Sequence, residues 1–442
     1  LLDGRCGRAS YLLASRESLE AAIVDPSVDG AQYDALLKEK YIDSDRVEEL
    51  VYPENVLLGK LEKKGDTGMV GDALPVPIFT KNAQGAGGKF TDAQTNATNT
   101  ASSKFTITAG DYYGVVLIGD KVMKASRTNQ GAFLENKMVE IDSLYETVGE
   151  NLSIYLWGNG GQALGRIQSI SGNDIYLSEP SQIQNFEVGM TVVASAADGA
   201  TTTDAERDSG DGTTVAAINR ATGYLQLTSA AAISGLTVGD YLFRQGDFFG
   251  DQGTVVITGV QAFISATDAP PALWGISAAT RATDPQRYAG CRVDVTALAG
   301  KTMEERIRVL IAQMRSRFKS KAPDEFYMNP EDFETLATLM GSRAIRGNET
   351  DTKFGYSKID IVTSAGTIPI HADRHCPVGT GFAFNMKNHW ISSMGELIGV
   401  QNGDGLQMLR KGDSTDYEFR LISYPLYANN CPRNHGRVLL AA

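Results

Sequence analysis

The sequence predicts an α+β protein with an inserted all-β domain. Three features carry this: one very long amphipathic helix, a repeated set of strand-like segments after it, and a closing third that alternates helix and strand signals. The helix is 130–157. Leu134, Met138, Ile141, Leu144 or Tyr145, Val148, Leu152 and Tyr155 or Leu156 fall at steps of three and four, one continuous apolar stripe. Glu135, Lys137, Glu140, Asp142, Glu146 and Glu150 occupy the other side. Asn129 can cap its start, and Gly158 can take the left-handed conformation that ends it. At 1.5 Å per residue it would be about 40 Å long.

The chain before the helix divides in two. Residues 1–54 hold short amphipathic pieces, Tyr33–Tyr41 and Arg46–Val51, interrupted by Pro26 and Pro53, and are expected to be mostly helical. They lack a core of their own and read as an arm. Residues 61–113 are expected to form an extended loop. Strand signals at 72–79 and 105–108 enclose a Gly-, Asn-, Thr- and Ser-rich middle that cannot offset its ordering entropy by burial. Gly85–Gly88 is no phosphate loop, since neither a Gly-Lys-Ser/Thr nor a helix start is expected after it.

After the helix, 172–192 (GNDIYLSEPSQIQNFEVGMTV) matches 222–242 (TGYLQLTSAAAISGLTVGDYL) at an offset of about 50 residues. Ile175 corresponds to Leu225, Leu177 to Leu227, Ile183 to Ile233, Phe186 to Leu236, Val188 to Val238 and Gly189 to Gly239. Two copies of strand, connection and strand predict a small barrel or sandwich over 162–290. The loop between them carries Asp198, Asp204, Asp208 and Asp211 without the spacing of a calcium-binding EF-hand.

In the last third, Thr302 and Glu305 form a capping box for a helix through Met303, Ile307, Leu310, Ile311, Met314 and Phe318. A strand at Glu325–Met328 leads through Asn329 and Pro330 into a second helix that stops at Gly341. Loop follows to Tyr356. Strand signals then come at 358–362, 367–371, 381–385, 406–410, 416–425 and 437–440.

Composition narrows the function. With 442 residues, the size prior allows about two to three domains. The apolar fraction of 42% and charged fraction of 21% are those of a globular chain with a real core. No run approaches the ~18 apolar residues of a membrane span, and the first twenty residues lack the apolar core of a signal peptide. The formal charge of −12 argues against sequence-specific binding to nucleic acid. The richest basic stretch, Arg306, Arg308, Arg315, Arg317, Lys319 and Lys321, reads as a solvated helix face. Cys6, Cys291, Cys376 and Cys431 form no CxxC pair and are expected as free thiols. One cluster could hold a metal: if 367–375 is a strand, His371, Asp373 and His375 share a face. His389 and His435 supply no evident fourth ligand, so a metal enzyme is the weaker alternative. No nucleophile elbow, zincin or dinucleotide-binding motif is present in a suitable context, so no catalytic residue and no cofactor are assigned.

Taken in order, arm, two-stranded loop, long helix, helix–strand–helix unit and terminal sheet resemble the major capsid proteins of tailed bacteriophages, the Johnson fold. The stretches that carry the likeness are 121–160 (KVMKASRTNQGAFLENKMVEIDSLYETVGENLSIYLWGNG), 324–340 (DEFYMNPEDFETLATLM), 367–390 and 418–440. The resemblance implies an N-terminal arm (1–60), an extended β-hairpin loop (61–113) and a peripheral domain (114–161 and 291–341) holding the spine helix. It further implies an axial domain (342–415) and return strands (416–442), with 162–290 as an inserted domain. It implies a homo-oligomeric shell of hexamers and pentamers around packaged double-stranded DNA. Scaffolding, portal or decoration proteins are the other partners it implies, with no membrane. Localisation would be the virion, with assembly in the host cytoplasm. The related shell of a bacterial encapsulated compartment is an alternative. Leu134, Met138, Ile141, Val148 and Leu152 on the helix, and Lys81 and Lys89 in the loop, are the residues expected to matter for assembly. Some members crosslink a loop lysine to an asparagine. Here neither the partner nor the catalytic carboxylate can be matched, and that reaction is not assigned.

Overall fold

A computed structural model describes residues 12–14, 21–23, 55–65, 68–119, 130–201, 204–249, 255–341, 359–401, 408–410 and 417–440. The chain divides into two compact units. The first comprises 1–54, 112–150 and 396–423, and the second 55–111, 151–395 and 424–442. The long helix, Gln130–Trp157, belongs to the first unit up to Glu150 and to the second from Asn151.

In the first unit, the strand Tyr112–Ile118 pairs antiparallel along its whole length with Tyr417–Ser423. The other edge of 417–423 takes the short strands Gly399–Val400 and Met408–Arg410. The helix lies on this sheet through Ile141, Tyr145 and Val148, each no more than 3% exposed. Gly114 makes the fit possible, because a Cβ there would meet Val148 Cγ2 at 2.8 Å. Leu12–Ala14 and Ala21–Ile23 form a two-stranded ladder where helix was expected, and Val56–Lys60 is a short helix. The pieces expected at 33–41 and 46–51 lie outside the described residues.

In the second unit, a mixed six-stranded sheet runs 291–292, 436–439, 380–384, 325–328, 366–372, 359–363. Helices Met303–Ser316 and Pro330–Gly341 cover it, burying Ile307, Leu310, Ile311, Met314 and Leu336 against Phe326, Met328, Ile361, Ile370 and Val438. Both parts of the capping box at Thr302 and Glu305 are made, and Asn329 Oδ1 accepts from Glu331 N at 3.0 Å. A three-stranded sheet joins Pro425–Asn429, His389–Ser393 and Glu62–Lys64. The helix ends inside this unit. Trp157 is 1% exposed and lies 5.3 Å from Phe382 and 6.1 Å from Tyr327 and Phe384, ring centre to ring centre. The single stripe therefore holds over 139–150. From Asn151 to Trp157 burial extends almost all round, because the last two turns are core rather than surface.

The repeat closes a six-stranded antiparallel barrel. Its strands are Gly165–Ser171, Asp174–Leu177 and Thr191–Ser195 in the first copy, and Thr213–Asn219, Tyr224–Leu227 and Tyr241–Arg244 in the second. The first strand of each copy pairs with its own second strand and with the third strand of the other copy. The two second strands pair together, as do the two third strands. The details repeat too. Gly239 N donates to Ile167 O and Gly189 N to Val215 O, both at 2.9 Å. Register shifts fall at equivalent places, Ile167/Ser169 and Val215/Ala217.

Barrel strands end at Arg244, short of the expected limit at 290. Residues 255–290 instead form three short helices, Val260–Phe263, Ala278–Thr283 and Pro285–Ala289. They pack beneath a β-hairpin of Ala73–Lys81 and Ala101–Thr108, where Ile276 and Tyr288 meet Leu74, Val76, Ile78, Phe105 and Ile107. The whole stretch 61–113 is thus not coreless: its stem is buried.

Candidate functional site

Three places in the second unit carry the features from which a function can be read: the hairpin tip, the base of the arm, and the seat of the barrel. The stem alternates, with Leu74, Val76 and Ile78 buried on one face, as a half-buried ladder should. Past a register shift between Phe79 and Lys81 this stops. All side chains from Lys81 to Asp92 are exposed, Lys81 and Lys89 among them, and Phe79 and Phe90 are 69% and 76% exposed. A six-residue helix, Phe90–Thr95, does open after the glycines, contrary to expectation, but it buries nothing. Here the chain holds a defined hairpin whose tip has no partner surface of its own among the described residues.

At the base of the arm, Leu57, Leu58 and Leu61 are buried and Asn55 is 1% exposed. The backbone is fastened by Asp373, whose Oδ2 accepts from Leu57 N at 3.0 Å while Oδ1 accepts from His375 N at 3.0 Å. Burial pushes the Asp373 carboxyl up, and these two bonds oppose the shift. Lys60 Nζ lies 2.8 Å from His371 Nε2 and donates to Glu325 Oε1 at 3.0 Å, and Tyr327 Oη donates to the other oxygen of Glu325.

His371, Asp373 and His375 do not converge on one point. His371 serves Lys60, Asp373 faces inward to the Leu57 amide, and His375 receives Arg374 Nε at 3.2 Å. Burial lowers His375 to about 3. Among the described residues no group of three His, Cys, Asp or Glu is placed to hold a metal ion. The acidic loop is likewise used for turns: Asp198 holds Asn159 Nδ2 and Ala200 N, Asp204 holds Thr201, and Asp208 holds Ser234 N. Cys291 and Cys376 are buried free thiols and Cys431 is a half-buried one. Cys6 lies outside the described residues.

On the basic stretch, Arg317, Lys319 and Lys321 are exposed, while three of its arginines have partners within the chain. Arg306 is 5% exposed and reaches Lys301 O and Leu439 O, Arg308 pairs with Glu304 at 2.7 Å, and Arg315 donates to Ser364 O. Carbonyls and a carboxylate of the same chain take up these cations. No described helix is long and apolar enough to cross a membrane.

The barrel sits on the helix end and the main sheet through polar contacts. Tyr155 Oη donates to Asp247, Arg244 to Asn151 Oδ1 at 3.1 Å, Asn159 to Asp198 at 2.8 Å, and Gln184 to Arg374 O at 2.7 Å. Of the helix residues singled out in the sequence, Ile141, Val148 and Leu152 are buried within the chain and hold the subunit together. The side chains of Leu134 and Met138 lie outside the described residues.

Residues 250–439 match the family model of the SU10 major capsid protein. That match spans 190 of the 442 residues, and over them the chain is similar to this phage major capsid protein. The matched region takes in the segment under the hairpin, the main sheet with both its helices, and the closing strands. No curated protein matches the chain. Among solved structures, the cyanophage A-1(L) capsid subunit is 12% identical with a TM-score of 0.46, covering 88% of this chain and 93% of its own. Mycobacterium phage Cain gives 10% identity and a TM-score of 0.39, covering 94% of this chain and 100% of its own. The capsid of Myoviridae phage XM1 gives 9% and 0.38, with 87% and 91% covered. The family match, rather than these distant likenesses, carries the assignment.

Sequence reasoning missed Trp274 and Arg287, which grip the hairpin stem, and Arg281, which holds the segment beneath it. It also missed the clasp role of Asp373. The stem's alternation of Leu74, Val76 and Ile78 was the available signal for the first, since a buried face needs a partner. Nothing in the sequence alone pairs Asp373 with Leu57.

Proposed function

We propose that this capsid protein assembles with copies of itself into hexamers and pentamers of an icosahedral head that encloses double-stranded DNA. The single observation that carries the reading is the hairpin tip. A chain that builds a nine-residue strand and its partner, then leaves Phe79, Phe90 and twelve consecutive residues in water, needs another molecule to cover them. A second copy of the same chain is the partner a shell supplies, and closed symmetry repeats the contact.

Electrostatics supports an arrangement in which the barrel stands on the face away from DNA. Residues 162–249 carry ten acidic and four basic side chains, and no lysine occurs between Lys137 and Lys301. Such a surface repels phosphate and has no means of releasing its counterions. The polar seat of the barrel fits a module added to a shell-forming body rather than part of its core. Scaffolding, portal and decoration proteins are further partners of a head of this kind, and the virion is where the protein would reside. Electron microscopy of the purified chain tests the reading: closed shells or ring-shaped capsomers support it. Uniform monomers under every assembly condition tried, with or without a scaffolding protein, would refute it.

A further inference from the structure

We infer that residues 262–287 form a bracket that fixes the direction of the hairpin, with Trp274 and Arg287 as positioning residues and the bend at Thr80 as the point beyond which the tip swings. This rests on the reading of the hairpin as the contact between copies, and deepens it.

The bracket begins with a tight turn. Leu273 and Ile276 exchange backbone hydrogen bonds at 3.0 and 2.9 Å, leaving Trp274 and Gly275 as the two turn residues, both with positive φ (49° and 82°). That turn type favours Asn-Gly or Asp-Gly, and a bulky aromatic at its first position is strained. The side chain's destination accounts for it. The Trp274 ring meets Phe105 edge to face at 5.1 Å and stacks toward Phe263 at 6.5 Å. The Trp274 carbonyl accepts from Thr106 N at 2.9 Å. One residue thus grips the second hairpin strand by ring and by backbone.

The turn is itself held from beneath. Arg281 is fully buried, and its guanidinium donates to Pro271 O, with Ala262 O and Phe263 O at 3.4 and 3.5 Å. These carbonyls flank the turn on the N-terminal side, so a cation with carbonyl partners ties the ends of the bracket together. At the outer end, Arg287, paired with Asp284 at 3.3 Å, donates to Thr80 O. Thr80 is the residue at which the ladder shifts register, between Phe79 and Lys81. At the inner end, Gly110 runs so near the chain at 255–256 that a Cβ would lie 1.9 Å from Val256 O. Gly110 N also donates to Pro425 O at 3.0 Å. The stem is therefore clamped at its base, its middle and Thr80, and among the described residues nothing packs on it further out.

Hydrogen exchange of the full chain tests this on unassembled subunits. Trp274→Asn suits the turn and removes the ring. It should speed exchange in 101–108 by about tenfold or more while leaving the barrel (165–244) and the helix 303–316 unchanged. Trp274→Phe should restore protection. Arg287→Gln should speed exchange only near 79–81 and 101–103. Exchange in 82–100 should be fast in every form. Unchanged exchange in 101–108 for Trp274→Asn would overturn the inference, and so would a uniform rise that includes the barrel for both Trp274→Asn and Arg287→Gln. Shell formation by the unaltered chain is scored separately. If it fails, the reading of the hairpin as a contact falls while the exchange result still decides the bracket.

Discussion

Ile175 and Leu225 face each other across the ladder between the two second strands of the barrel. They are also the residues that the 50-residue repeat makes equivalent, so the pseudo-twofold axis of the barrel passes between them. Within one copy only the first two strands pair, so each copy alone leaves four open strand edges, and the other copy closes them all. A unit that satisfies its own edges should fold by itself. Its ends are also adjacent, with Leu164 N donating to Leu242 O at 2.8 Å. Residues 163–249 expressed alone should give a soluble monomer with a β-type circular dichroism spectrum and one cooperative thermal transition. Extending the fragment to 289 should add no stability, since 255–289 packs under the hairpin. A disordered 163–249 would show that the polar seat on the helix is indispensable.

Val148 is 3% exposed and lies where the helix presses on Gly114. Val148→Asp would bury a carboxylate on the apolar face of the helix. A loss above about 4 kcal/mol is expected, read as insoluble protein or a collapse of the urea midpoint. Val148→Ala should cost about 1–3 kcal/mol and leave the chain folded.

Asp373→Ala would leave the amides of Leu57 and His375 without acceptors, at about 1–3 kcal/mol each. Asp373→Asn keeps one acceptor and should recover part of it. The specific expectation is earlier proteolysis at 55–65, where the arm leaves the body, before any change in the barrel. Elemental analysis of the purified protein should find no stoichiometric metal, and His371→Ala with His375→Ala should leave that unchanged.

Acid should loosen the core around the histidines. His389 is fully buried, 2.8 Å from Tyr427 Oη and 4.9 Å ring to ring from His435. Burial lowers His389 to about 3 and holds His435 well below the ordinary range, helped by His389 beside it. Both are neutral in the folded chain, while the unfolded chain takes up protons below about pH 6.5. Their contribution is therefore intact above 6.5 and lost as pH falls, by about 2 kcal/mol per imidazole at pH 5. Carboxyls raised by burial, such as Asp373 and Asp247, act in the opposite sense. A variant isolates the effect: His389→Gln should reduce the slope of stability against pH between 6.5 and 5 by about one proton, measured by urea unfolding at both pH values. An unchanged slope would place the acid response elsewhere.

The parts of the fold that were legible are those in which one face is buried and the other is wet. The helix over 139–150, the strand–helix step at 325–341 and both barrel copies show their periods because water and core alternate along them. Fully buried segments gave no such signal. His389–Ser393 and Pro425–Asn429 are strands buried on nearly every residue, and pattern reading did not isolate them. The end of the barrel was misplaced for a related reason. Residues 255–290 are Ala- and Pro-rich with short helices, and only their contact with Leu74, Val76 and Phe105 shows where they belong. Lone polar residues such as Asp373 and Arg281 were illegible because their partners are backbone atoms far away in sequence.

The central claim is that another copy of the chain covers the hairpin tip, and trypsin reads this directly because Lys81 and Lys89 both sit in the exposed stretch. Free subunits should be cut after Lys81 and Lys89 before any other described site, while assembled particles at the same protease ratio should keep both bonds intact. Equal rates of cleavage in free and assembled protein would contradict the account.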